Sequence, residues 1–134
     1  MDGRALGPGQ VRFGNDPDRF HRLWQGAAKA LASLPADTVL GVAPHSLRAA
    51  SPAGLAAVAG FDPATPVHIH VAEQLAEVDE VQAATGARPV EWLLHNTALS
   101  SRWCLIHATQ MEPDETEAMA ASGAVAGLCP ITEA

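Results

Sequence analysis

The chain has 134 residues, of which 48% are hydrophobic, and carries a formal net charge of −7 at pH 7. This composition predicts one globular domain, and the acidic excess without any basic run excludes nucleic acid as a partner. No segment approaches the roughly 20 apolar residues of a membrane span, and the amino terminus lacks the apolar centre of a signal peptide. We therefore expect a cytoplasmic protein with no membrane partner.

Helices and strands are predicted to alternate along the chain. A helix over "DPDRFHRLWQGAAKALASL", opened by Asp16 and Pro17, precedes the first of four short apolar runs. Those runs have the length and composition of strands buried on both faces: "TVLGVAP", "PVHIHVA", "RWCLIHA" and "GAVAGLCP". Further helices are predicted over "SPAGLAAVAG" with Ser51 as its cap, "AEQLAEVDEVQAATG" closed by Gly86, "RPVEWLLHNTAL", and "EPDETEAMAASG" between Pro113 and Gly123.

This alternation predicts an α/β fold with a parallel sheet, because parallel strands need long and usually helical crossovers. The predicted strands begin about 21 to 36 residues apart, which is the scale of the roughly 31 residues per unit in a (β/α)8 TIM barrel. No glycine-rich phosphate loop follows the first strand, which gives a dinucleotide-binding sheet no support. Four strands cannot close such a barrel, so residues 1–134 are expected to form a partial barrel domain, incomplete at both ends.

The stretch "PVHIHVAEQ" carries the strongest indication of chemistry. Successive strand residues point to opposite faces, so His68 and His70 share one face while the intervening apolar residues share the other. In a barrel the imidazoles would point inward, and catalysis takes place at the carboxyl ends of the strands. His70 at that end could bind a metal, and Glu73 just beyond could carry protons to and from an activated water. The spacing therefore predicts a metal-dependent hydrolase.

Two other predicted strands place polar residues at the same end. His107 ends "RWCLIH", while His45 ends the first predicted strand and Arg48 lies in the loop that follows. A guanidinium group suits a fork-like grip on a substrate carboxylate. Each residue alone could be a core histidine or a solvated arginine, but their matching places favour a shared site.

The remaining polar and sulfur-containing residues are expected to be structural. The acidic residues of "AEQLAEVDE" are spread between apolar positions and predict a solvated helix face. Cys104 and Cys129 are too few for a disulfide framework or zinc knuckle and are predicted to be small buried hydrophobes. His68 is most simply an inner-layer polar residue. Solvated or capping roles are predicted for four residues on helical stretches, Arg88, Glu91, His95 and His21.

Five segments, in order, resemble the N-formimino-L-glutamate deiminase family of the amidohydrolase superfamily: "GVAPHSLRA", "PVHIHVAEQ", "GARPVEWLL", "RWCLIHAT" and "SGAVAGLCPITEA". The resemblance covers nearly the whole chain and implies roughly the fourth to seventh barrel strands with their helices. It implies that His70 binds a single catalytic zinc, that Glu73 moves protons, and that His107 polarises the substrate or steadies the attacking water. The segment "HSLR" implies that His45 and Arg48 hold the glutamate part of the substrate.

The reaction implied by the resemblance adds water to the formimino carbon and expels ammonia, leaving N-formyl-L-glutamate, a step of histidine degradation. The family's metal site also needs an HxH pair after the first strand and an Asp after the eighth, and this chain contains neither segment. Gln110 stands where many relatives are expected to carry a second histidine. We therefore expect the isolated chain to hold zinc weakly and to be inactive, and the intact enzyme to be a homo-oligomer.

Two alternatives stay open at this point. One is a deaminase of the same superfamily that acts on a ring such as guanine. Such a ring has no carboxylate, so the carboxylate-binding role of "HSLR" would have no function in that enzyme. The other is a non-catalytic half-barrel that serves as a binding or assembly module. Such a half-barrel leaves strand edges unpaired, which proteins normally avoid.

Overall fold

Three parallel strands form the sheet in the computed structural model, which describes residues 5–133. In chain order they are β1 (Val67–Val71), β2 (Trp103–His107) and β3 (Val125–Gly127), and they lie in that order in the sheet. Val67 is in register with Trp103, and Cys104 with Val125, so the carboxyl ends of the strands meet at one edge. The predicted α/β class and the last three predicted strands are confirmed.

The helices begin and end close to their predicted signals. Asp16 and Ser51 are N-caps whose side chains accept hydrogen bonds from the backbone, and Gly86 and Gly123 end their helices with φ of 81° and 80°. Among residues 5–133 no helix is long and apolar enough to cross a membrane. The helices are α1 (Pro17–Leu31), α2 (Pro52–Ala59), α3 (Leu75–Thr85), α4 (Pro89–Asn96), α5 (Pro113–Ser122) and the unpredicted α6 (Pro130–Glu133), and a 3-10 turn covers Val11–Phe13.

The first predicted strand, "TVLGVAP", is wrong as a continuous strand. The segment meets β1 through one isolated bridge at Val42, and a second isolated bridge follows at Ser46, just beyond the segment. Pro44 lies between the bridges and has no N–H group with which to continue a parallel ladder. The next hydrogen bond runs 2.7 Å from the amide of His70 to the carbonyl of His45, whose φ of 54° is left-handed. The segment is therefore an interrupted neighbour of β1.

The core lies on one face of the sheet. The apolar residues of β1 are at most 1% exposed, whereas His68 and His70 on its other face are exposed, as the alternation predicts. Leu105 of β2 is also fully buried. Helices α2 to α5 all contribute buried side chains to this core, namely Leu55, Val58, Val78, Val81, Val90, Leu93 and Met119. Burial of the apolar face fixes which side chains, including His68 and His70, remain on the opposite face.

A partly buried ion pair joins the start of α4 to α5. The Nε of Arg88 lies 2.9 Å from a carboxylate oxygen of Glu115, which is 6% exposed, and an Nη donates to the carbonyl of Gln110. Glu115 also accepts from the amides of Glu91 and Glu112. Glu91 caps α4 as expected by accepting from the amide of Arg88. The side chain of Arg88 forms no cap, and its pairing with Glu115 was not revealed by the sequence.

Candidate functional site

His70 is arranged as metal-binding histidines usually are. Its Nδ1 lies 2.9 Å from the backbone carbonyl of His45. A carbonyl can only accept, so Nδ1 is the donor in this contact, and in the neutral ring Nε2 is then the nitrogen with a free lone pair. When a histidine binds a metal through one ring nitrogen, the other ring nitrogen commonly donates a hydrogen bond to a carbonyl, which fixes the tautomer of the ligand. The side chain of His70 therefore fits a metal such as zinc.

Three imidazole rings lie side by side at the carboxyl edge of the sheet. The ring centroids of His45 and His70 are 5.2 Å apart, and those of His70 and His107 are 5.7 Å apart with an interplanar angle of 28°. In the register of β2, His107 falls on the same side as the buried Trp103 and Leu105, but its φ of 75° departs from the strand conformation. The left-handed backbone, which histidine adopts more readily than most residues, accompanies the approach of this ring to His70.

Glu73 lies within reach of His107. One of its carboxylate oxygens is 3.7 Å from the Nε2 of His107. The backbone reaches this position through Ala72, whose φ is 51°. The structure thus places His107 next to both His70 and Glu73, while the chemical roles of all three residues stay predictions.

A buried carboxylate holds the loop that carries Glu73. Glu77 is 3% exposed, and its two oxygens accept hydrogen bonds of 3.0 Å from the amides of Ala72 and Glu73. The prediction that the acidic residues of "AEQLAEVDE" form a solvated face is therefore wrong for Glu77. The available signal was its place in the first turn of α3, where unpaired backbone N–H groups favour a carboxylate.

Replacing Glu77 by Ala should release this loop. Hydrogen bonds to a charged acceptor are worth about 1.5–3 kcal/mol each, so we expect amide exchange at Ala72 and Glu73 to become at least about tenfold faster. Hydrogen exchange resolved by residue checks this, with the exposed Asp79→Ala on the same helix as the control. Unchanged protection at both amides would show that the loop is held by other contacts.

Arg48 lies at the rim of the site. Its guanidinium pairs with Glu80 at 3.8 Å, and both side chains are about half exposed, at 44% and 48%. Partial burial lowers the pKa of His45 from its ordinary value, and the neighbouring charges of His70 and Arg48 lower it further. Arg48 is therefore close enough to His45 to act on it electrostatically.

Glu133 lies beside His107 on the side away from Glu73. Its Oε1 is 3.1 Å from the Nδ1 of His107 and accepts a 2.7 Å hydrogen bond from the amide of Cys129. Cys104 and Cys129 are half-buried, so the prediction that both are buried hydrophobes needs correction. Burial raises the pKa of the Cys104 thiol, and the nearby Cys129 raises it further. No sequence pattern had pointed to Glu133.

Comparison with solved structures defines the class of protein. An amidohydrolase from Brucella melitensis is 55% identical with a TM-score of 0.94, covering 99% of this chain and 30% of that one. An adenosine deaminase from Xanthomonas campestris with bound zinc is 26% identical with a TM-score of 0.72, covering 87% and 27% of the two chains. The chain therefore belongs to the amidohydrolase superfamily and has part of its TIM-barrel fold.

Within that superfamily, sequence comparison points to one group of proteins. Formimidoylglutamate deiminase of Pseudomonas aeruginosa is 49% identical over 134 residues, which cover 98% of this chain and 29% of that protein. The resemblance to this family, drawn from short segments of the sequence, is confirmed. The chain spans less than a third of the length of these relatives, and no family model matches it.

Proposed function

We propose that residues 1–134 are a partial barrel domain of a zinc-dependent hydrolase that converts N-formimino-L-glutamate and water to N-formyl-L-glutamate and ammonia. The observation that carries the proposal is the hydrogen-bond distance from Nδ1 of His70 to the carbonyl of His45, with the ring of His107 beside His70 and Glu73 within reach of His107. The identity of 49% to the Pseudomonas deiminase supports the choice of substrate. The zinc bound to the adenosine deaminase of Xanthomonas campestris supports the choice of metal.

His70 would hold the zinc, with the other ligands supplied from outside this chain. When bound, the metal lowers the pKa of water and polarises the bond under attack. Glu73 takes the proton of the attacking water on a carboxylate oxygen and passes it to the departing nitrogen, as a general base and then a general acid. His107 lies 3.7 Å from that carboxylate, where it can steady the water or donate to the substrate.

His45 and Arg48 would bind the glutamate part of the substrate. A carboxylate meets a guanidinium group in a bidentate, charge-assisted pair, and to reach it Arg48 would exchange its exposed contact with Glu80. The reaction balances without a redox step. Water supplies the oxygen of the new formyl group and two of the three hydrogens of ammonia, while the imino nitrogen leaves with its own hydrogen and the other nitrogen stays on glutamate as the amide.

A chimera tests the proposal directly. The segment of the Pseudomonas deiminase that matches this chain is replaced by residues 1–134, so that the missing barrel strands are supplied by a 49% identical relative. We expect the purified chimera to bind zinc and to release ammonia from N-formimino-L-glutamate at a rate comparable to the parent. Coupled detection of ammonia and chromatography of N-formyl-L-glutamate measure the two products.

The same chimera separates the alternatives. The similarity to an adenosine deaminase makes ring deamination the second candidate, so adenosine and guanine are assayed in parallel. Activity on a ring without activity on formiminoglutamate would replace the proposed substrate. A chimera that folds by circular dichroism and carries zinc but hydrolyses none of these substrates would contradict the enzymatic proposal and favour a binding or assembly module.

A further inference from the structure

A second group of potential metal ligands lies next to the proposed catalytic residues. The Nδ1 or Nε2 of His107, the Sγ of Cys129 and a carboxylate oxygen of Glu133 all lie within 4.8 Å of one another. His107 is 7% exposed, and the other two residues are half-buried. The backbone amide of Cys129 donates to Glu133, which ties the carboxylate to the segment that carries the thiol.

From this grouping we propose a binding site for a thiophilic divalent cation, of the kind represented by Zn²⁺, Co²⁺ and Cd²⁺, with His107, Cys129 and Glu133 as ligands. One imidazole, one thiolate and one carboxylate make three protein ligands and leave a fourth position for water. The thiolate excludes Mg²⁺ and Ca²⁺, which prefer oxygen ligands. Cys129 gives up its proton on binding, so the two negative ligands balance the charge of the cation.

The present distances need only a small contraction. Around a tetrahedral Zn²⁺, bonds of about 2.0–2.3 Å place ligand atoms roughly 3.3–3.8 Å apart. The Nδ1 of His107 and Oε1 of Glu133 are already 3.1 Å apart. Binding through the thiol therefore requires a movement of at most about 1 Å at Cys129, which stands just before the short helix α6.

Glu73 completes the arrangement from the other side of the ring. If Nδ1 of His107 binds the cation, its Nε2 carries a proton and faces the carboxylate of Glu73 at 3.7 Å. Shortening of this distance to hydrogen-bond length would give the pair of a ligating histidine and an accepting carboxylate that recurs at metal sites. A bound cation would hold His107 and Glu73 in place, so excess cation should inhibit the enzyme. This inhibition, unlike the site itself, rests on the proposed function.

Cobalt titration of the 134-residue chain under reducing conditions tests the site. We expect a thiolate-to-cobalt charge-transfer absorption that saturates at one ion per chain. Cys129→Ser should abolish that absorption. The matched control Cys104→Ser, which removes a half-buried thiol of β2 outside the ligand group, should retain it. Loss of even an outer-shell partner costs about 10–100-fold in affinity, so Glu133→Gln should raise Kd by at least about tenfold.

Alkylation of the unaltered chain provides a second test, which does not depend on whether the variants fold. Zn²⁺ should slow alkylation of Cys129 by iodoacetamide at least about tenfold, because a bound thiolate is withdrawn from reaction, and should leave Cys104 largely unaffected. Absence of sulfur absorption, its survival in Cys129→Ser, or equal alkylation of Cys129 with and without Zn²⁺ would overturn the proposal. Cobalt bound through His70 alone would give no sulfur absorption and would count against it.

Discussion

Replacing Glu73 by Gln should lower kcat of the chimera on N-formimino-L-glutamate by about 10²–10⁴-fold, the range attributed to a general acid or base. Glutamine keeps the shape of the side chain but cannot carry a proton, while Glu77 still holds the loop through the amides of residues 72 and 73. Steady-state kinetics with ammonia detection measures the effect. Zinc content should be unchanged, because Glu73 is assigned no bond to the metal.

The exposed Glu80→Gln on α3 is the control for a general change of charge near the site. A Glu73→Gln chimera with kcat within about twofold of its parent would remove Glu73 from the proton path, since a catalytic carboxylate contributes about 10² or more. Loss of zinc together with activity would instead show that Glu73 is a ligand.

Replacing Arg48 by Met should raise KM for N-formimino-L-glutamate by about 10–150-fold, the factor that corresponds to about 1.5–3 kcal/mol for a hydrogen bond to a charged group. The glutamate carboxylates are bound alike before and during reaction, so kcat should change much less than KM. Initial rates over a wide range of substrate concentration separate the two constants.

Two further variants, Arg48→Lys and Glu80→Gln, serve as controls for the Arg48→Met experiment. Lysine keeps the charge without the planar fork and should recover only part of the affinity. The Glu80 variant removes the present ion-pair partner without touching the guanidinium group and should leave KM nearly unchanged. An Arg48→Met chimera with an unaltered KM would contradict the carboxylate-binding role.

The elements of the fold could be predicted where local signals agree with packing. Asp16, Ser51, Gly86 and Gly123 mark helix ends by their own chemistry, and the structure follows them. The segment "TVLGVAP" has the composition of a strand, but a strand also needs a continuous ladder. Pro44 interrupts that ladder, an effect that depends on the register with β1 and is invisible to periodicity.

The site was predictable only in part, for a similar reason. His70 and Glu73 follow from strand alternation and from the place where the strand ends. Glu77 and Glu133 act through hydrogen bonds to backbone or imidazole atoms brought close by folding. Composition cannot distinguish such a carboxylate from a solvated one, because both occur on polar helix turns.

The left-handed backbone at Ala72, which recurs with the same φ of 51° at Ala108 just after β2, has a consequence for protein engineering. Glycine would be less strained at either position, since a left-handed residue other than glycine costs about 1–2 kcal/mol. Alanine, however, leaves fewer alternative conformations to the segment, so each turn leaves its strand along a more reproducible path. The alanines therefore hold the backbone at the ends of β1 and β2 in a more defined position, at the expense of stability. Variants selected only for heat resistance would replace them by glycine and lose this defined backbone position.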